Sequence, residues 1–388
     1  MGIILGDIEI SSMFIGDTEV SSVYYGNAKV YENYIDEERQ YLTFVPVSDA
    51  TFTWTNHANS GSLYYSLNNG STWTALGDGE STPMITSGNK ILWKGNLVPN
   101  TNGIGTFSSD ADYNASGNIM SLLYYDNYYN SQLDSTKHNY AFRRLFENDT
   151  HILSAPVLPA TTLAVGCYYE MFYNCTSLIS ASELPATTLA AQCYQDMFRG
   201  CTSLTTAPEL PATTLAVQCY QLMFGGCTSL TAAPVLPATT LATDCYSFMF
   251  YGCTRLIRAP ELPATTLTGY CYSFMFENCT SLTAAPALPA TTLETNCYRN
   301  MFYGCTRLIR APELPATTLE TNCYREMFYG CTRLNYIKCL ATNISASNSL
   351  ARWVTMVPFT GAFVKAADMK SWTRGGDGIP PGWTVVDA

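Results

Sequence analysis

Apolar positions recur every 26 residues from Leu158 onward, through seven copies without a slip. The unit reads L-P-A-T-T-L-x-x-x-C-Y-x-x-M-F-x-[GN]-C-T-x-L-x-x-A, opening at Leu158, Leu184, Leu210, Leu236, Leu262, Leu288 and Leu314. In the second copy Cys193, Tyr194, Met197 and Phe198 fall at i, i+1, i+4 and i+5, which predicts one apolar stripe on a short helix. That helix should stop at Gly200, because the equivalent position holds only Gly or Asn, the residues that accept a left-handed C-cap. Thr-Thr ahead of the stripe supplies N-cap candidates, and Thr291-x-x-Glu294 and Thr317-x-x-Glu320 read as capping boxes. Cys201–Pro208 then reads as a very short parallel strand, halted by Pro208 and Pro211, which have no N–H to donate. Each unit is expected to be strand, turn, short helix, turn. A fixed period of this length specifies a solenoid, whose units bury their apolar faces only against their neighbours.

The ends of the array read as caps. Leu145-Phe146-x-Asn148-Asp149-Thr150 aligns one period before Met171-Phe172-x-Asn174-Cys175-Thr176, with Asp149 replacing Cys as if that face met water. Beyond Cys331, a helix is expected from Ser347 through Leu350, Trp353, Val354 and Val357, then a strand at Gly361–Ala366 and a Pro380-Pro381-Gly382-Trp383 tail. These motifs resemble the BspA-like branch of leucine-rich repeats: Cys201-x-x-Leu204-x-x-Ala207 and Met197-Phe198-x-x-Cys201 stand for its C-x-x-L-x-x-I and A-F-x-x-C patterns. The resemblance covers residues 142–345. It implies an α+β leucine-rich-repeat solenoid of short parallel strands plus short helices, of a kind known from surface-binding proteins. Ala in place of the usual Ile, and a longer Ala-Pro-x-Leu-Pro turn, leave the curvature open.

In front of the array the pattern changes. Gly6-Asp7, Gly16-Asp17 and Gly26-Asn27 fall ten apart between short apolar runs, which is hairpin-turn chemistry. A module of this size is marginal alone, so it is expected to dock on a partner or to oligomerise. It resembles short N-terminal modules of tailed-bacteriophage structural proteins. Tyr41–Val47, Thr51–Thr55, Leu63–Ser66, Thr72–Leu76, Ile91–Lys94 and Gly103–Phe107 read as strands of a β-sandwich. Within it, Ser66-Leu-Asn68-Asn-Gly70-Ser-Thr72-Trp73 is similar to the Asp-box hairpin; its Trp is expected to plug the core, the alternative being a sugar contact. Asp110-x-Asp112-x-Asn114 hints at a calcium loop, but Ala115 and Ser121 stand where Gly and Glu are required. The expected organisation is an attachment module at 1–35, a sandwich-like domain at 36–120, a connector at 121–141, the solenoid at 142–345 and a cap at 346–388.

Composition narrows the function. With 47% hydrophobic and 13% charged residues the chain is globular, and a net charge of −11 without a basic run argues against nucleic acid as a partner. No apolar stretch is long enough to insert in a bilayer. The start, Met-Gly-Ile-Ile-Leu-Gly-Asp, lacks the features of a secretory signal, so either a signal has been removed or the protein is assembled in a cytoplasm. Fourteen of the 15 Cys sit at the two repeat positions and read as reduced core thiols, too far from their copies to bridge. No nucleophile–base–acid set, phosphate loop or carboxylate pair emerges, and the expectation is a non-enzymatic protein with no metal and no cofactor. Positions free to differ between copies should be exposed. They gather Arg255, Arg258, Arg307, Arg310 and Arg333 in the last copies, and Tyr251, Tyr303 and Tyr329 at the predicted helix end. These residues are the candidate ligand face. The expected whole is a fibre- or tail-associated virion protein binding a host-surface protein or glycan, with a bacterial cell-surface adhesin as the alternative.

Overall fold

The computed structural model describes residues 39–388 and, before them, six short strands. Those strands pair antiparallel in twos: β1 (Ile3–Leu5) with β2 (Ile8–Ile10), β3 (Phe14–Ile15) with β4 (Thr18–Glu19), and β5 (Ser22–Tyr25) with β6 (Ala28–Glu32). The Gly-Asp and Gly-Asn pairs expected to turn them lie outside the described residues.

Seven strands follow: β7 (Leu42–Pro46), β8 (Phe52–Asn56), β9 (Leu63–Ser66), β10 (Thr74–Leu76), β11 (Ile91–Gly95), β12 (Gly105–Ser109) and β13 (Tyr113–Ser116). One sheet runs β10-β9-β11-β7-β13 and continues, parallel, into β14 (Ile152–Ser154); β8 and β12 form a second, two-stranded sheet. Phe44, Trp93 and Tyr113 from the large sheet meet Phe52 and Phe107 from the small one, all buried, with ring centroids as close as 4.8 Å, and Trp54 packs beside Phe107. Of the segment that suggested a metal loop, Asn114 lies in strand β13 and Asp110 and Asp112 precede it.

From residue 138 the chain winds in coils of 26 residues, and here the expected helices are absent. Among the described residues helix is confined to α1 (Ser121–Tyr124) and a turn of 3-10 helix at Tyr125–Asn127. In place of each helix runs a ladder of turns. Tyr194, Asp196 and Phe198 donate their N–H groups to Cys219, Gln221 and Met223 of the next coil, at 2.9–3.0 Å. The intervening Gln195, Met197 and Arg199 donate to the carbonyl three residues back, at 3.2–3.3 Å. The alternation repeats in every unit and leaves no backbone group of the segment to be capped. It needs a left-handed residue at every fourth position, so Gln192, Asp196 and Gly200 have φ of 60°, 54° and 77°. At Gly200 a Cβ would also stand 2.2 Å from Asn174 Oδ1, so that side chain would have to move aside. Over one short segment the i, i+1, i+4, i+5 pattern serves a four-residue repeat as well as a 3.6-residue one, and both bury Cys193, Tyr194, Met197 and Phe198.

The remainder of each unit is extended but barely ladders. Single parallel bridges join Ser154 to Ser180 and Ser180 to Thr206, and the Pro that follows limits them. The Thr-Thr pairs are not helix caps: Thr162 bridges Thr188, Thr214 bridges Thr240, and both residues of every pair are exposed. After β14 in the first coil, full strands form again only at the C-terminal end, β15 (Arg310–Leu314), β16 (Tyr336–Cys339), β17 (Ala362–Lys365) and β18 (Thr384–Asp387), as one parallel sheet in that order. The segment expected as the last helix is a further ladder coil, with left-handed Asn348, Arg352 and Met356.

Two aromatic stacks run through the array. Tyr168 to Tyr324 stack in sequence at 5.7–6.1 Å, and Phe146 to Phe328 at 5.3–5.8 Å. Trp353 closes both, 6.4 Å from Tyr324 and 6.1 Å from Phe328, and its indole N–H donates to the Gly378 carbonyl at 2.8 Å. At the other end Phe107 stacks on Phe146 at 6.0 Å, while Ile104 and Phe107 donate N–H groups to Ala141 and Leu145 of the first coil. That contact corrects the reading of Asp149. It does not face water: it is 3% exposed and accepts the Tyr113 hydroxyl at 2.9 Å, because the preceding strands cover the first coil.

Candidate interaction surface

The variable columns lie on the outside of the coil, on the extended segment that follows the turn ladder. Ala232, Arg258 and Ala284 bridge in register, and further along Arg310 pairs with Tyr336. All five predicted arginines are exposed. The Arg310 guanidinium lies 3.8 Å from the centre of the Tyr336 ring, and Glu313, its neighbour, pairs instead with Lys338 at 3.0 Å. Among the described residues Arg255, Arg258, Arg307 and Arg333 have no ion-pair partner. The coil between the two Arg pairs carries Ser281, Thr283 and Ala284. The short side chains leave a cleft of about 340 Å³ bounded by Thr283, Ala284, Ile309, Arg310 and Pro312. A ridge–trough–ridge relief with free guanidinium forks suits carboxylate, sulfate or phosphate groups.

The tyrosines form a separate group on the turn ladder. Tyr303 and Tyr329 stack face to face, 4.7 Å apart and 2° from parallel, while Tyr251 meets the edge of Phe248 at 6.0 Å. Arg352 lies 5.6 Å from the Tyr329 ring and pairs with Glu326, whose other oxygen accepts Asn300 Nδ2 at 3.0 Å. Burial, then the Glu326 charge, pushes the Glu277 carboxyl up to about 7 against the pull of Arg299. Burial together with Tyr329 and Glu277 raises the Tyr303 hydroxyl. No hydrogen bond, ion pair or ring contact among the described residues joins these tyrosines to the five arginines, so the candidate face divides into two. Glu277, Glu326 and Arg352 escaped sequence reasoning. Glu277 shows as a charged residue in the tyrosine column only when the coils are stacked.

The other candidates are engaged elsewhere. In the Asp-box-like hairpin Asn68 Oδ1 accepts the Thr72 N–H at 2.9 Å and Gly70 donates to Ser66 Oγ at 2.9 Å. Its Trp73 does not plug the core. It is half-buried on the outer surface, with Lys94 Nζ 4.3 Å from the ring centre and Tyr41 edge-on at 5.0 Å, and the core tryptophans are Trp54 and Trp93. Asp110 binds the Thr51 N–H and hydroxyl at 2.7 and 2.8 Å, and Asp112 meets His151 Nδ1 at 2.9 Å. Both face protein partners, and no cluster of three or more metal-ligating side chains occurs among the described residues. All 15 Cys are unpaired and buried, and burial raises their thiol pKa. Those of the second column donate to the Phe carbonyl of the preceding coil, as Cys201 does to Phe172 at 3.1 Å. No helix among the described residues is long and apolar enough to cross a membrane.

The pattern of the BspA type leucine rich repeat region matches residues 140–283 and 246–351, in six copies. Comparison with curated proteins finds no match, and comparison with solved structures finds none.

Proposed function

Since the chain belongs to the BspA-type leucine-rich repeat family, we propose that it is a non-enzymatic adhesion protein whose solenoid holds a host-surface ligand. The observation that carries this reading is the outward stripe of Arg255, Arg258, Arg307 and Arg333, four guanidinium groups without ion-pair partners among the described residues. Guanidinium groups left free on a rigid scaffold lose little on meeting an acidic surface, and they steer its approach. The attachment end is the N-terminal module, and its ten-residue Gly-Asp spacing supports a place on a phage particle, among other virion proteins. The family itself favours a second reading, an adhesin on a bacterial surface. Arg258→Ala with Arg310→Ala is the test of the ligand face: attachment to host cells should fall while the melting temperature holds. Unchanged attachment returns the stripe to solvent. Mass spectrometry of purified particles and of washed cell envelopes from the source decides where the protein resides.

A further inference from the structure

Within one chain, seven copies of a unit are seven trials of the same position. Packing fixes the buried Cys, Tyr, Met, Phe and Leu columns, whereas exposed positions have no such constraint and are free to drift. The Thr-Thr pair breaks this rule. From Thr161-Thr162 to Thr317-Thr318 both residues are exposed in every unit, and both are Thr in every unit. Exposed neighbours in the same units did drift: the residue three after the pair is Val217, Thr243 and Thr295 in three of the copies, all exposed, with a half-buried Gly269 between the last two. Recent duplication would have spared those neighbours too. Helix capping does not hold the pair, since there is no helix to cap. Nor does internal hydrogen bonding, because from Thr187 to Thr318 none of these hydroxyls has a protein partner among the described residues. β-propensity alone would admit Val, Ile or Tyr as readily.

We infer that the Thr-Thr face is a binding surface for a neutral polysaccharide lying along the solenoid axis. Parallel bridges join Thr162 to Thr188 and Thr214 to Thr240, and the turn ladder stacks the coils throughout, so two rows of hydroxyl and methyl groups repeat at about 4.8 Å per coil. A surface with a translational repeat gains most from a ligand that repeats as well, since each coil then contributes an equal contact. Every Thr supplies a donor, two acceptors and a methyl group, matching the mixed OH and CH faces of a sugar. The two rows carry no formal charge, so the ligand has none to neutralise. A protein partner would call for Tyr, Trp or Arg at the centre, and the rows contain none. Beside them, a cleft of about 400 Å³ between two coils is lined by Pro185, Pro208 and Pro211, two residues from Thr187 and Thr213. This site deepens the adhesion reading by naming a ligand class, but it lies on a different column from the arginines and stands without them.

The test is retention of the whole protein on microcrystalline cellulose, chitin and insoluble starch. Thr213→Val, Thr214→Val, Thr239→Val and Thr240→Val together remove four hydroxyls while keeping the branched shape that suits the ladder. We expect the unaltered chain to bind at least one polymer and this variant to bind it about tenfold or more weakly at an unchanged melting temperature. Ser at the same four positions keeps the hydroxyls and should retain most of the binding. Arg258→Ala with Arg310→Ala should bind the polymer normally, so loss of the arginine reading leaves this one intact. Failure of the unaltered chain on all three polymers, or equal binding by the Val variant, overturns the inference.

Discussion

The turn ladder makes one sharp prediction, because it reverses the usual ranking of alanine and glycine. Leu222 stands in the middle of the segment that the apolar pattern assigns to a helix, and its φ is 56°. Leu222→Ala and Leu222→Gly both remove the side chain beyond Cβ, so their difference isolates the backbone. In a helix interior Ala would be the more stable of the two by about 1 kcal/mol. In the ladder an L-residue at this φ costs about 1–2 kcal/mol, which glycine does not incur. Against that, the extra chain freedom of glycine costs about 0.5–1 kcal/mol on folding. Glycine should therefore win by about 0.5–1 kcal/mol. For a solenoid of this size that is about 1–4 °C in melting temperature. Gln221, one residue earlier, is not left-handed, and there Ala should beat Gly. Thermal and urea melts of the four variants, followed by circular dichroism, measure both differences. If Leu222→Ala proves more stable than Leu222→Gly, the segment is helical and the ladder is wrong.

Glu277 should make stability depend on pH. Its folded pKa of about 7 lies above the ordinary 4.5, so the folded chain holds the proton more tightly. The contribution is complete below pH 4.5 and is lost as pH rises toward 7. Glu277→Gln should match the unaltered protein near pH 4 and melt higher at pH 8; a constant offset across that range would contradict the assignment. The cysteines should be silent until the chain unfolds, since burial raises every repeat thiol. Thiol counting should find close to 15 groups in denaturant without reductant and almost none in the native protein. A denatured count near one, leaving seven bridges, would refute it.

How much of this was legible depended on which physical quantity each residue reports. Period, register and core were open to reading, because Cys193, Tyr194, Met197, Phe198 and Leu204 are apolar in every copy and buried in every coil. Backbone conformation was not. A run of four to six residues cannot separate a 3.6 from a 4.0 repeat, and the distinguishing bonds reach the next coil, 25 residues away. The Thr-Thr misreading followed from that one step, since a helix invites a cap. Asp149 failed for a related reason: a charge in place of Cys looks like a solvent-facing edge unless one knows that Tyr113, 36 residues upstream, arrives to donate to it. The arginines were correctly expected to be exposed, yet the tyrosines grouped with them belong to the ladder, where Arg352 and Glu326 are their neighbours.

The premise that repeated positions are buried and variable ones exposed fails in both directions. Arg255, Arg258, Arg307, Arg310 and Arg333 vary and are exposed, but Ser247 and Ser273 differ from Gln221 and Arg299 of the same column and are buried, and Thr161 through Thr318 show that exposure does not guarantee drift. The two faces thus carry different histories. On the arginine columns, Arg alternates with Ser and Ala in a two-coil block, so a ligand there meets a relief particular to the later coils. On the threonine rows every coil offers the same contact, so affinity should grow with the number of coils rather than with any one of them. Removing a complete unit would shorten the threonine rows by one step yet disturb the two-coil spacing of the arginines. The first face should weaken by a fraction under that change, and the second should lose its register.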